Sequence, residues 1–190
     1  MSTPSNAGQT YQGSTPGLYA GNPQPTKSHA TDSIDRAPAG RPDNARHPAG
    51  IIGVGAPDVP GYVGGPSNFL LRSYTYATTY GYRGNVTSSS SLLHAGTAVF
   101  IDKQGTIVVK CNCGNPAKVI LQSKVAQATF VGSPGPAFSP STVTAVQPAT
   151  NNVQQLMLVQ INTGVIFDRE LGANDVPDTI IDTVPTNLAM

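Results

Sequence analysis

GTAVFIDKQGTIVVKCNCGNP, residues 96–116, carries the plainest strand-turn-strand pattern in the chain. Two β-branched, apolar runs, Ala98 to Asp102 and Thr106 to Cys111, flank Lys103-Gln104-Gly105, which is the pattern of a β-hairpin. Gly114-Asn115-Pro116 follows at once and reads as the turn that ends the second strand, since glycine and asparagine tolerate turn geometry and proline has no N–H to continue a ladder. The same stretch holds the only two cysteines, Cys111 and Cys113.

The same pattern repeats on either side of this stretch. Phe69 to Tyr82 reads as one long strand or a hairpin, Val119 to Val131 as a further strand region, and Thr142 to Gln147 as another strand. Gln155 to Ile161 and Val165 to Arg169 flank Asn162-Thr163-Gly164 as a second clear hairpin, with Gly164 suited to a positive φ. No segment carries a convincing helical period. The expectation is an all-β domain over residues 66–172, closed as a small sandwich or open barrel of antiparallel hairpins, because a lone hairpin is only marginally stable. Residues 173–190 form a tail in which Thr179 to Asp182 is apolar enough to add an edge strand.

The first 65 residues differ in kind. They hold 11 of the 20 glycines and 9 of the 17 prolines, so they lose backbone donors, cost more to order and cannot build a core of their own. Residues 1–65 are therefore read as a long Gly/Pro-rich extended or flexible arm, with Leu18-Tyr19 and Ile51-Ile52 as the apolar pairs able to pin it. The arm carries neither the basic n-region nor the apolar h-region of a Sec signal, consistent with a mature form or a product made without such a signal.

Charge narrows the function. Only 11% of residues are charged and the formal net charge is +1, so no basic face for nucleic acid is expected. No apolar run approaches the roughly 18 residues of a membrane-spanning helix. Catalytic motifs are equally sparse. Ser88 to Ser91 reads as a polar loop without a nucleophile elbow, and nothing orders His94, Ser91 and Asp102 into a triad. Asp168 and Glu170 share one side of a strand without the contrast in environment that acid–base work needs. Gly53 to Asp58 lacks the strand and the lysine of a phosphate loop. No catalytic residue and no cofactor is expected.

Two readings of Cys111 and Cys113 stay open. On a flat strand, Cα atoms at i and i+2 lie about 6.5–6.8 Å apart, at the outer edge of disulfide geometry, so a local bond needs a bend. In an oxidising compartment a local disulfide and free thiols are both open, and free thiols are expected otherwise. A metal site would need two further ligands, and the β region offers His94 alone as a histidine; no metal is expected. Tyr74, Tyr76, Tyr80 and Tyr82 share parity, so a regular strand lines them along one face. Such a stripe is either cross-strand packing or a rigid contact surface for protein or glycan, because tyrosine combines large contact area with low entropic cost.

LLHAGTAVFIDKQGTIVVKCNCGNP, Leu92 to Pro116, resembles a domain of unknown function of exported actinobacterial proteins, which pairs an Ala-Gly-Thr-Ala-Val hairpin with a Cys-x-Cys-Gly-Asn-Pro end. LLRSYTYATTYGYRGN upstream, SPSTVTAVQP and LMLVQINTGVIFDREL downstream, and GLYAG at Gly17 to Gly21 are similar to other parts of that family. Two features depart from it: the Pro- and Gly-rich residues 22–65 stand where the family has a helical segment with a further cysteine, and Ala117-Lys118-Val119 replaces a Leu-Thr-Pro. The family's function is unknown; together with the low charge, the β pattern and the absence of a catalytic constellation, the resemblance leads to the expectation of a non-enzymatic module, secreted or at the cell envelope, acting through protein–protein or cell-wall contacts, without nucleic acid or a membrane span. The alternative expectation is a subunit of a virion, tail or filament that self-assembles, its arm ordering on neighbouring subunits.

Overall fold

A computed structural model describes residues 8–23, 69–82, 86–111, 115–119, 131–133, 135, 138–171, 176–183, 186 and 188–189. Among the described residues there are twelve strands: β1 (Gln9–Gln12), β2 (Tyr19–Ala20), β3 (Phe69–Leu71), β4 (Thr75–Tyr82), β5 (Val86–Leu93), β6 (Ala98–Ile101), β7 (Ile107–Lys110), β8 (Asn115–Val119), β9 (Thr144–Gln147), β10 (Gln155–Val159), β11 (Ile166–Glu170) and β12 (Thr179–Ile181). Besides the strands, the described residues contain one turn of 3-10 helix, Pro140–Thr142. The fold is all-β, as the sequence indicates.

The strands form one open sheet in the order β1-β9-β4-β8-β7-β6-β3-β2-β10-β11-β12, with β5 attached to β4 as a branch. The sheet is mixed and not built of antiparallel hairpins alone. β1 and β4 pair with β9 in parallel, and β2 pairs with β10 in parallel. Parallel neighbours cannot be joined by tight turns; here they are supplied by segments far apart in the chain.

Residues 9–20 take part in this sheet, so the N-terminal segment is not wholly an arm outside the β domain. The reason is the apolar pair Leu18-Tyr19: both side chains are buried in the central cluster with Phe69, Leu71, Ile107 and Phe167. Tyr19 donates its hydroxyl to the Gly105 carbonyl at 2.6 Å, which satisfies the one polar atom it takes into the core. Burial drives the Tyr19 phenol far above its usual range, with the Asp102 carboxylate adding to the effect.

One apolar cluster collects side chains from β2 through β11, which requires the sheet to coil round them. The β6–β7 turn holds that coil. The Asp102 carboxylate accepts the backbone N–H groups of Gln104 (2.9 Å) and Thr106 (2.8 Å) and the Thr106 hydroxyl (2.6 Å). Gly105 sits at φ +71°, and a methyl group there would strike the Gly13 backbone just past β1. From the β9–β10 connection, Ala149 N–H donates to the Gln104 carbonyl (3.0 Å) and Val153 N–H to the Lys103 carbonyl (2.7 Å). The turn is thus clasped on two sides.

Two arginines tie the terminal segments down. Buried Arg169 meets Asp178 through two contacts of 3.0 and 2.7 Å, donates to the Asn22 carbonyl (2.8 Å), and lies over the Phe167 and Phe69 rings. Arg72 donates to the carbonyls of Gly17 (2.7 Å) and Ala189 (2.5 Å), while Ala189 N–H returns a bond to Pro16 (2.9 Å). The segment read as a tail therefore lies against the N-terminal turn, and β12 adds to β11 at the end of the sheet.

Candidate functional site

The β4–β5 ribbon is where the sheet leaves its core. Thr75 and Ala77 of β4 and Leu93 of β5 are buried, but β5 from Val86 to Ser90 is exposed throughout. β8 pairs with β4 only at Ala77 to Thr79, so from Tyr80 onward β5 is the sole partner of β4 among the described residues. Ser88 to Ser91, expected as a polar loop, are strand residues paired in register with Tyr80 to Ala77. Serine has little strand preference of its own; eight cross-strand pairings hold the run extended.

The two faces of the ribbon carry different chemistry. On the core side, apolar Ala77 gives way to hydroxyls: the Thr79 Oγ1 lies 2.7 Å from Ser91 Oγ and 3.3 Å from Ser89 Oγ, and Thr87 donates to the Gly81 carbonyl (3.4 Å). The opposite side bears Tyr76 across from Leu92 and Tyr80 across from Ser88.

That outer face explains the tyrosine stripe, which divides along its length. Tyr74, Tyr76, Leu92 and Phe138 cover buried Val143 and Ala145 in a second, smaller apolar cluster. The Tyr74 ring meets His94 at 5.1 Å and Phe138 edge-on at 5.4 Å, and Gly135 passes so close to the Tyr74 hydroxyl that a methyl group there would collide with it. Tyr80 lies beyond this cluster, half-exposed. The Tyr82 side chain lies outside the described residues.

The remaining sequence candidates fall apart in space or in role. Asn115 and Pro116 are not a turn: they open β8, pairing with Lys110 and Val109. Proline is admissible there because β4 pairs with β8 only from Ala117 onward, so at Pro116 one flank of the strand has no ladder partner among the described residues. Gly114 lies outside the described residues. Cys111 is a free cysteine, partly buried, whose N–H donates to the Ala98 carbonyl (3.0 Å), and burial pushes its thiol up to about 12. Cys113 lies outside the described residues. Ser91, His94 and Asp102 are each engaged elsewhere, with Thr79, with Tyr74 and within the β6–β7 turn. Among the described residues no three His, Cys, Asp or Glu side chains gather as a metal set, and no helix is long and apolar enough to cross a membrane. Asp168 is held above its usual carboxylate range by burial, partly offset by a hydrogen bond from Gln155.

The geometry defines an all-β module whose distinctive surface is an uncharged ribbon, hydroxylated on one face and aromatic on the other. The chain belongs to the family described as Domain of unknown function (DUF6777), whose model matches residues 9–172. That match begins at the first residue of β1 and ends just past β11. No curated protein and no solved structure matches the chain significantly.

Proposed function

We propose that this protein is a non-enzymatic β module of the bacterial surface or envelope, of the exported actinobacterial type, that acts by binding protein or cell-wall partners through the β4–β5 ribbon. The observation that carries the reading is the ribbon itself. Five residues of β5, Val86 to Ser90, lie exposed along β4 outside the main core, and Tyr80 is presented on a backbone anchored at Thr75 and Ala77. A half-exposed tyrosine on an ordered strand offers contact area at little entropic cost. The virion reading drew its support from an N-terminal arm that needs neighbours; residues 9–20 take their order from their own chain, which removes that support for this segment.

A photo-crosslinking residue at position 80, introduced in the source cells, tests the proposal. Adducts to an envelope protein or to wall glycan, recovered from the envelope fraction, are the expected result. A product confined to the cytosol, or adducts that are unchanged when the label is moved into the core at Val99, would overturn it.

A further inference from the structure

We propose that the free edge of β5 pairs antiparallel with the β5 edge of a second copy of this chain, centred on Ser89. The proposal stands on the strand's own chemistry and does not depend on where the protein resides. Among the described residues β5 pairs with β4 alone, leaving one row of backbone N–H and C=O groups along an eight-residue strand without a ladder partner. The other two ends of the sheet are short: β1 has four residues and β12 has three. Natural proteins blunt long edges with lysine, proline, bulges or inward charges. VTSSSSLL has none of these, and its pairing with β4 runs in unbroken register from Val86 to Leu93.

The occupant follows from symmetry. A two-fold axis perpendicular to the sheet makes two β5 strands antiparallel and keeps each face continuous, so residues of like parity must stand opposite each other. Centring the axis on Ser89 sets Val86 against Leu92, Thr87 against Ser91, Ser88 against Ser90, and Ser89 against itself. Each pair matches in kind, apolar with apolar and hydroxyl with hydroxyl, the same pairing chemistry that Thr79 makes with Ser89 and Ser91 within the chain. Moving the axis to Ser90 sets Ser88 against Leu92 and Thr87 against Leu93, and the match is lost. No charge lies anywhere on the strand, so two copies meet without repulsion. The join would also carry the Tyr76 and Tyr80 face of one copy onto that of the other. A strand pair of this length is far smaller than a standard interface of about 1,600 Å², so the dimer is expected to be weak and concentration-dependent.

Sedimentation velocity over a wide concentration range tests this on the full chain, with Ser89→Lys and Ser89→Glu as variants. Ser89 is exposed, so both should keep the wild-type circular dichroism spectrum and melting temperature. The expected result is a reversible wild-type dimer, each variant alone weakened at least tenfold by like charges meeting on the axis, and dimer recovered in a one-to-one mixture. A wild-type chain that stays monomeric overturns the proposal. So do variants that dimerise as the wild type does, or a mixture that fails to recover, since these place the contact elsewhere or in another register.

Discussion

The β6–β7 and β4–β5 pairs are both antiparallel, and they are adjacent in the chain, yet they serve opposite ends. In β6–β7, Val99, Phe100 and Ile101 and then Ile107, Val108 and Val109 are buried one after another, so both faces of that pair are covered. Its turn is clasped as well, by Gly13 on one side and by Ala149 and Val153 on the other. In β4–β5, side chains alternate, hydroxyls occupy the face that would continue the core, and Val86 remains 46% exposed. One pair spends its side chains on stability; the other keeps an ordered backbone while leaving its surface available.

That contrast can be broken most readily at Phe100. Phe100→Ala should destabilise the fold by about 3–5 kcal/mol, the usual cost of removing a buried aromatic ring, measured by chemical denaturation. Tyr19→Phe sharpens the role of the clasped turn: it strips the Gly105 carbonyl of its buried donor, and a loss of about 1–3 kcal/mol is expected. On the other side of the comparison, Tyr80→Ala should cost less than about 1 kcal/mol, because only a cross-strand neighbour is lost. A large loss at Tyr80 would mean that the ribbon belongs to the core after all.

The smallest effect concerns Cys111, at the end of β7. Its folded-state thiol titrates near 12, above the ordinary value of 9.0. Between those limits the unfolded chain has released the proton that the native state still holds, so stability falls as pH rises from about 9 toward 12. In a Cys113→Ser background, Cys111→Ser should flatten that alkaline slope in a denaturation series. The same thiol should resist alkylation at pH 8 until the protein unfolds.

Much of the buried region was legible from residue order. The β6–β7 hairpin and the β10–β11 hairpin lie within a residue or two of where their apolar runs place them, and Gly164 takes the positive φ, +72°, that its turn requires. The ribbon was not legible. Ser88 to Ser91 have the composition of a loop, and only their register with β4, a tertiary fact, makes them a strand. Phe69 to Tyr82 breaks at Arg72 and Ser73 because Arg72 turns aside to bond Gly17 and Ala189, partners distant in sequence that no local pattern announces. Composition likewise hid β1 and β2: a segment rich in glycine and proline reads as an arm, while two apolar residues, Leu18 and Tyr19, suffice to bury it when the rest of the sheet supplies the core. Asn115 and Pro116 look like a stop and instead begin β8, since a proline without a ladder donor fits where one flank of the strand is not yet paired.

Amide hydrogen exchange resolved along the chain tests the central contrast most directly. In dilute protein, the amides of β6, β7, β10 and β11 should exchange only through global unfolding, while alternate amides of β5, those facing away from β4, should exchange orders of magnitude faster. Protection of every β5 amide to the level of β6 and β7 at the lowest concentration would contradict this account, because the ribbon would then be part of the core rather than a surface held out from it.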